Sequence, residues 1–152
     1  MKRTRVLFLC TANSARSQMA EAFLRKHGRG SFEPFSAGLK PSEINPLTIE
    51  VMRERGIDLE AEGHRSKGLV EEFLKEQVHV GYLITVCGGA EENCPIYPWA
   101  GVREFWDLED PAALEGSRDE RLALFREVRD RIESRVMDFV EEHSQNSRRE
   151  PD

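Results

Sequence analysis

Short apolar runs alternating with helix-like stripes organise this chain. Residues 5–10, Arg-Val-Leu-Phe-Leu-Cys, are almost continuously apolar, the pattern of a strand covered on both faces. Residues 15–28 then set Met19, Ala22, Phe23 and Lys26 along one side of a predicted helix that ends at Gly28. Residues 32–37 predict a second strand, stopped by Gly38. Asn45-Pro46 joins an N-cap to a proline at the first helical position; Leu47, Val51 and Met52 supply the stripe and Gly56 closes it. Leu69, Val70, Phe73 and Leu74 predict a helix over residues 68–76. Residues 78–86 predict a third strand running into Cys87, and residues 102–105 a short fourth. The longest stripe comes last: Leu122, Phe125, Val128, Ile132, Val136, Phe139 and Val140 recur every three or four positions. The Arg, Glu and Asp residues between them read as a solvated face.

Strands that alternate with helices imply a parallel sheet with helices on both faces. The expected fold class is α/β, a three-layer α/β/α arrangement around a four-stranded parallel sheet. Neither a repeat nor a linker divides the chain. Residues 1–143 are expected to form one domain, and the polar residues 144–152 a frayed, disordered tail. A chain of 152 residues can bury a core without disulfide or metal. Its apolar runs are too short to cross a bilayer, and no signal peptide follows the basic start. A cytoplasmic protein with no membrane contact, working as a monomer, is expected.

Charge adds a direction. The net charge is −6, which disfavours a nucleic-acid partner. Residues 1–30 nevertheless carry Lys2, Arg3, Arg5, Arg16, Arg25, Lys26 and Arg29 against Glu21 alone. A basic start on an acidic body suits a small anionic ligand near the N-terminus, or simply a solvated surface. Three cysteines, Cys10, Cys87 and Cys94, make an odd number in a chain expected in the cytosol, so they do not read as a disulfide framework. Two predicted strands end at cysteines, the first at Cys10 and the third at Cys87. In parallel sheets ligands sit beyond the carboxyl ends of the strands, so Cys10 and Cys87 share the functional edge.

Cys10-Thr11-Ala12-Asn13-Ser14-Ala15-Arg16-Ser17 lies between a predicted strand and a predicted helix. Five residues between Cys10 and Arg16 suffice to wrap backbone N–H groups around a tetrahedral anion, with the helix adding its positive end. Arg16 offers a bidentate fork to two anion oxygens. The same dipoles and guanidinium favour a thiolate at Cys10, to which Ser17 can donate. One loop, Thr11 to Ser17, thus activates a nucleophile and binds its electrophile. The Gly-Lys-Ser/Thr ending of a nucleotide loop is missing. The bland alternative is an ordinary turn that happens to hold Cys and Arg.

This signature, so near the N-terminus, resembles that of the low-molecular-weight protein tyrosine phosphatase family. Ser36-Ala37-Gly38, Asn45-Pro46, Gly56-Ile57-Asp58 and Asp110-Pro111 fall at that family's landmarks, so the likeness runs from about residue 4 to residue 141. Within the family, Thr85-Val86-Cys87-Gly88, Cys94-Pro95, Trp106 and Asp110-Pro111-Ala112 resemble the thioredoxin-coupled arsenate reductases. Tyrosine phosphatases generally lack the cysteine pair and carry aromatic residues where Ala112 and Ala113 stand.

The resemblance implies reduction of arsenate through a relay of Cys10, Cys87 and Cys94, with thioredoxin as electron donor. Asp110 is the implied general acid, preferred over Asp107 and Glu109 because Pro111 follows it. Asn13 and Ser36 are implied to brace the loop, with Glu21 close by. In some relatives that cluster holds potassium; Lys67 opposes a cation here, so no cofactor is expected. Family loops commonly have Gly at Ala12, which predicts strain if that position needs positive φ, and many have a further Cys at Ala15. The seven-residue offset from Cys87 to Cys94 would span about 10 Å in a helix, too far for a disulfide, so this segment must loop or unwind. A zinc half-site or inert thiols are the alternatives for that pair, although its spacing is loose for zinc. His27, His64, His79 and His143 read as surface or helix-end residues. Trp99 and Trp106 read as neighbours of the redox loop. A phosphatase of the same fold, taking phosphate in place of arsenate, and a non-enzymatic arsenite sensor remain as other functions.

Overall fold

Val6, Leu7, Phe8 and Leu9 are fully buried because the strand that carries them lies inside the sheet and both faces of that sheet are covered. The computed structural model describes residues 2–149, with side chains through His143. Strands β1 (Thr4–Cys10), β2 (Phe32–Gly38), β3 (Val80–Thr85) and β4 (Ala100–Phe105) form one parallel sheet in the order β2-β1-β3-β4.

Phe8, Phe32 and Tyr82 project from one face of the sheet. Phe32 and Tyr82 meet Phe139 of helix α4 (Arg118–Arg149), while Phe8 meets Trp106, which also packs on Phe139. Helix α1 (Arg16–His27) packs beside α4, and α2 (Pro46–Arg53) also touches α4. Phe35 projects from the opposite face onto Phe73. These are the three layers of the α/β/α fold. The remaining helix, α3 (Gly88–Asn93), is a short turn after β3.

Several boundaries differ from the sequence reading, each for a physical reason. β3 starts at Val80 rather than residue 78, and β4 at Ala100 rather than residue 102. Residues 68–76 do not form a regular helix. Val70–Leu74 is a wide π-helical turn in which Lys75 N–H reaches back to the Val70 carbonyl, and Gln77 at φ 52° ends it. The apolar spacing there is satisfied by one turn that seats Phe73. In α1, Ser17 to Leu24 are all buried, so the helix has no narrow stripe, and Lys26 is exposed. Helix α4 extends through Arg149; side chains from residue 144 onward and residues 150–152, where the tail was expected, lie outside the described residues. Among the described residues no helix is long and apolar enough to cross a membrane.

The polar face of α4 is not uniformly solvated. Arg129 is buried, donating to the Val51 carbonyl at 3.0 Å, to Glu54 at 2.7 Å and to Asp130 at 2.9 Å. It fastens α4 to the end of α2. Hydrogen bonds from Arg126 and Arg129 hold the Glu54 carboxyl at about 2, against an ordinary value of 4.5. A carboxyl held low contributes stability above its unfolded value, and that contribution fades as pH falls from 4.5 towards 2. Arg129→Ala should therefore cost about 1–3 kcal/mol in chemical denaturation at neutral pH, because it strands a buried carbonyl. The same variant should lose less stability than the parent between pH 4.5 and pH 2.

Candidate active site

The residues just before Cys10 and Cys87 are joined across the sheet: Val86 N–H donates to the Leu9 carbonyl at 2.9 Å. Both thiols therefore emerge at the same carboxyl edge, β1 ending in Cys10 and β3 leading to Cys87. Between Cys10 and α1 the backbone makes a loop whose carbonyls face outward and are bonded by the following segment. Leu39 N–H donates to the Cys10 carbonyl, Lys40 to Thr11, Ser42 to Ala12 and Asn45 to Ser14. The hydroxyls of Ser66 and Thr48 donate to Ala12 and Ser14 as well. Among the described residues, no protein partner takes the N–H groups of Thr11, Ala12, Ser14 and Ala15. A loop with satisfied carbonyls and free amides can cradle an anion.

Asn13 shapes it. Its φ is +52°, a left-handed conformation that asparagine tolerates better than most residues. Ala12 does not have positive φ, so the strain expected there is absent. The Asn13 amide N–H donates to Cys10 Sγ at 3.1 Å, and its side-chain Nδ2 donates to Ser17 Oγ at 2.8 Å. Ser17 Oγ lies 2.8 Å from the same sulfur. With its acceptor capacity facing the Asn13 amide, the Ser17 hydroxyl donates to Cys10. Two donors thus converge on one sulfur.

Behind the loop lies a hydrogen-bond relay that the sequence reading missed. Gln18 Nε2 donates to Asn13 Oδ1 at 2.9 Å, to the Asn13 carbonyl at 3.1 Å and to the Arg65 carbonyl at 2.8 Å. Lys67 N–H also donates to Asn13 Oδ1. His64 Nδ1 donates to Gln18 Oε1 at 2.9 Å, which leaves Nε2 to accept from Arg25 at 3.1 Å. His64 is not a surface residue: its side chain is only 2% exposed. Burial pushes its pKa below 6.5, with the nearby Glu21 carboxylate opposing, and this favours the neutral ring that the two bonds require. The available signal was Gln18, a polar side chain inside the continuously buried start of α1.

Glu21 and Ser36 belong to this rear cluster. Ser36 Oγ donates to Glu21 Oε1 at 2.6 Å, and no hydrogen bond joins Ser36 to the loop among the described residues. Arg25 pairs with Glu21 at 2.9 Å, while Lys67 Nζ lies 3.8 Å away. Burial draws the Lys67 ammonium below the ordinary lysine value, and Glu21 opposes the change. These residues do not fit a potassium ion, because two fixed cations already face the carboxylate.

Arg16 is mostly buried and donates to the Leu108 carbonyl at 2.9 Å; its other nitrogen stands 3.7 Å from Asp110. Asp110 is half-exposed and caps the turn Pro111–Ala113 through the Ala112 N–H. Its rival Glu109 is turned to Arg131 on the surface. Cys87 is buried; its Sγ caps α3 by accepting from Ala90 N–H at 3.3 Å and lies 3.5 Å from Thr11 Oγ1 of the loop. Cys94 closes α3 and is half-buried, and burial pushes its thiol above the ordinary 9.0 against the pull of Arg103. Trp106 is buried between Phe8 and Phe139 with Arg135 over its ring, so it serves the core under α4. Trp99 packs on Tyr97.

The family model of low molecular weight phosphotyrosine protein phosphatases matches residues 5–149. Arsenate reductase of Bacillus licheniformis is 37% identical over 93% of this chain and 98% of its own. The chain belongs to the low-molecular-weight phosphatase family, in its arsenate reductase branch. A solved structure described as an arsenate reductase in the phosphate binding state aligns with a TM-score of 0.76 and 32% identity, over 91% of this chain and 98% of that one. The thioredoxin-dependent arsenate reductase Cg_ArsC1′ of Corynebacterium glutamicum aligns at 0.69 and 29%, over 95% of this chain and 63% of that one.

Within this family member, Gly38 lets β2 end directly beneath the loop. A Cβ there would lie 2.8 Å from the Thr11 carbonyl oxygen, 2.9 Å from the Ala12 carbonyl carbon and 2.9 Å from the Asn13 nitrogen, all backbone atoms. Gly38→Ala should cost about 1–3 kcal/mol in stability through overpacking. Because the displaced atoms are those that aim the amides, phosphate affinity measured by calorimetry should also fall by about tenfold.

Proposed function

We propose that this protein reduces arsenate to arsenite with its own three thiols and is restored by thioredoxin. The observation that carries the reading is the arrangement of sulfurs: one in an anion loop, one touching that loop, one at the far end of a short helix.

Arsenate enters the ring of amides formed by Thr11 to Ser17, with Arg16 moving from the Leu108 carbonyl onto its oxygens. Cys10, as thiolate, attacks arsenic(V), and a hydroxyl departs as water with a proton from Asp110. Cys87 then attacks the Cys10 sulfur. The S–S bond forms as the S–As bond breaks, and the electron pair stays on arsenic, which leaves as arsenite. Cys94 attacks Cys87, forming the Cys87–Cys94 disulfide and releasing the Cys10 thiolate. A dithiol reductant takes up that disulfide by two further exchanges.

The last intramolecular step requires α3 to unwind. Cys87 and Cys94 stand at opposite ends of it, which helical rise puts at about 10 Å, whereas a disulfide needs its Cα atoms within about 7 Å. Oxidation of Cys87 itself favours unwinding, because the sulfur that caps α3 is then committed to a bond. Gly88 and Gly89 weaken the first turn, and the Thr85–Glu91 hydrogen bond is what must be given up. Until then Cys94 remains a half-buried thiol whose surroundings favour the protonated form, which keeps it from pairing out of turn. Ile96, 87% exposed and two residues beyond Cys94, offers the reductant an apolar foothold. The cytosol, where free thiols persist, is the fitting compartment, with one domain acting as a monomer.

Cys94→Ser decides between the reductase and a phosphatase of the same fold. Thioredoxin-coupled arsenate turnover should fall about 100-fold or more, while any hydrolysis of a chromogenic phosphate stays within about twofold. Unchanged turnover would overturn the relay. A protein that only binds arsenite stoichiometrically, with neither turnover, would overturn the enzyme reading.

A further inference from the structure

Of the seven cations in the first thirty residues, Arg16 alone reaches the loop's mouth. Arg3 lies just before β1, at the far edge of the sheet, and Arg29 follows the end of α1. Together with Arg25 and Lys67 they line an open cavity of about 410 Å³ that runs beside α1 along the edge strand β2. It contains two carboxylates, and both are already engaged. Glu33 pairs with Arg5 at 3.5 Å; Glu21 accepts from Ser36 and faces Arg25 and Lys67. Among the described residues, neither the Arg3 nor the Arg29 guanidinium forms an ion pair or a side-chain hydrogen bond.

We propose that this trough is a second anion site, separate from the catalytic loop, and that it takes a linear phosphoanhydride of two or three phosphates. Its wall includes four consecutive residues of β2, Phe32 to Phe35, a length of about 10 Å at strand rise. One tetrahedral anion would leave most of that length empty. A short phosphate chain presents an oxygen pair to each guanidinium in turn, the geometry arginine binds best. The unpaired cations gain a partner without any existing carboxylate pair being broken. Inorganic chains and the tail of a nucleoside triphosphate carry the same chemistry.

Calorimetric titration with sodium tripolyphosphate at low ionic strength tests this, with Arg16→Ala used to disable the loop. That variant should still bind one equivalent, with an affinity that weakens as salt is added. Arg3→Ala/Arg29→Ala should lose this binding by about tenfold or more, while inorganic phosphate still binds the loop within about twofold. Arg3→Gln/Arg29→Gln, which keeps the side-chain stems, should show the same loss if the alanine pair folds poorly. ATP binding as tightly as tripolyphosphate would extend the site to nucleotides; ATP failing where tripolyphosphate binds would restrict it to inorganic chains, and in both cases the site stands. No binding to Arg16→Ala, or undiminished binding to a well-folded double variant, overturns the proposal.

Discussion

The loop after β1 keeps its amides free only because its carbonyls are bonded elsewhere. Residues 39–48 act as a rail that accepts none of the loop's donors and satisfies its acceptors one after another. A backbone bent this tightly would otherwise collapse onto itself or close with water. Asn13 is the pivot: it takes the left-handed conformation, turns its amide to the sulfur, and uses its side chain to tie Ser17, Gln18 and the Lys67 backbone together. The helix start, the end of β2 and the segment at residues 64–67 all converge on that residue. The sheet exists, in functional terms, to bring those three pieces within bonding distance of the loop.

Electrostatics at the rear of the site follow the same economy. Glu21 is a buried carboxylate, costly unless compensated. Ser36, Arg25 and Lys67 compensate it, and His64 stays neutral between Arg25 and Gln18. The chemistry at the front and the charge at the back are therefore connected through a continuous line of hydrogen bonds from Arg25 to Cys10. Such a line orients the sulfur's donors without adding net charge next to it.

The fold was largely legible because β1, α1 and α4 carry strong patterns, and the candidate loop because Cys10, Arg16 and Ser17 are local in sequence. What escaped was non-local. Nothing near His64 announces that Gln18, forty-six positions earlier, will bury it. The basic start suited an anionic ligand near the N-terminus or a solvated surface, and charge alone could not say that α1 carries Arg25 and Lys26, with Arg29 just past its end, away from the loop, an outcome set by helix length. Arg129 looked like one more solvated residue because periodicity marks apolar contacts and is silent about a guanidinium that finds a buried carbonyl. The segment after Gly68 had helical spacing but too little length for more than a single wide turn, since spacing alone does not report how many turns the tertiary structure can house.

Recognition by main-chain amides has an evolutionary corollary. The groups that would grip the oxyanion are shared by every amino acid except proline, so the side chains at Ala12 and Ala15 are under little direct selection from the substrate. Ala12 is only partly buried and can vary without altering the cradle, provided the outward carbonyls keep their partners and Asn13 keeps its turn, whereas Ala15 is buried and is fixed by packing rather than by the substrate. Diversification of such a scaffold would then proceed at the rim, through the thiols and acids that surround the cradle, while the cradle itself is inherited intact.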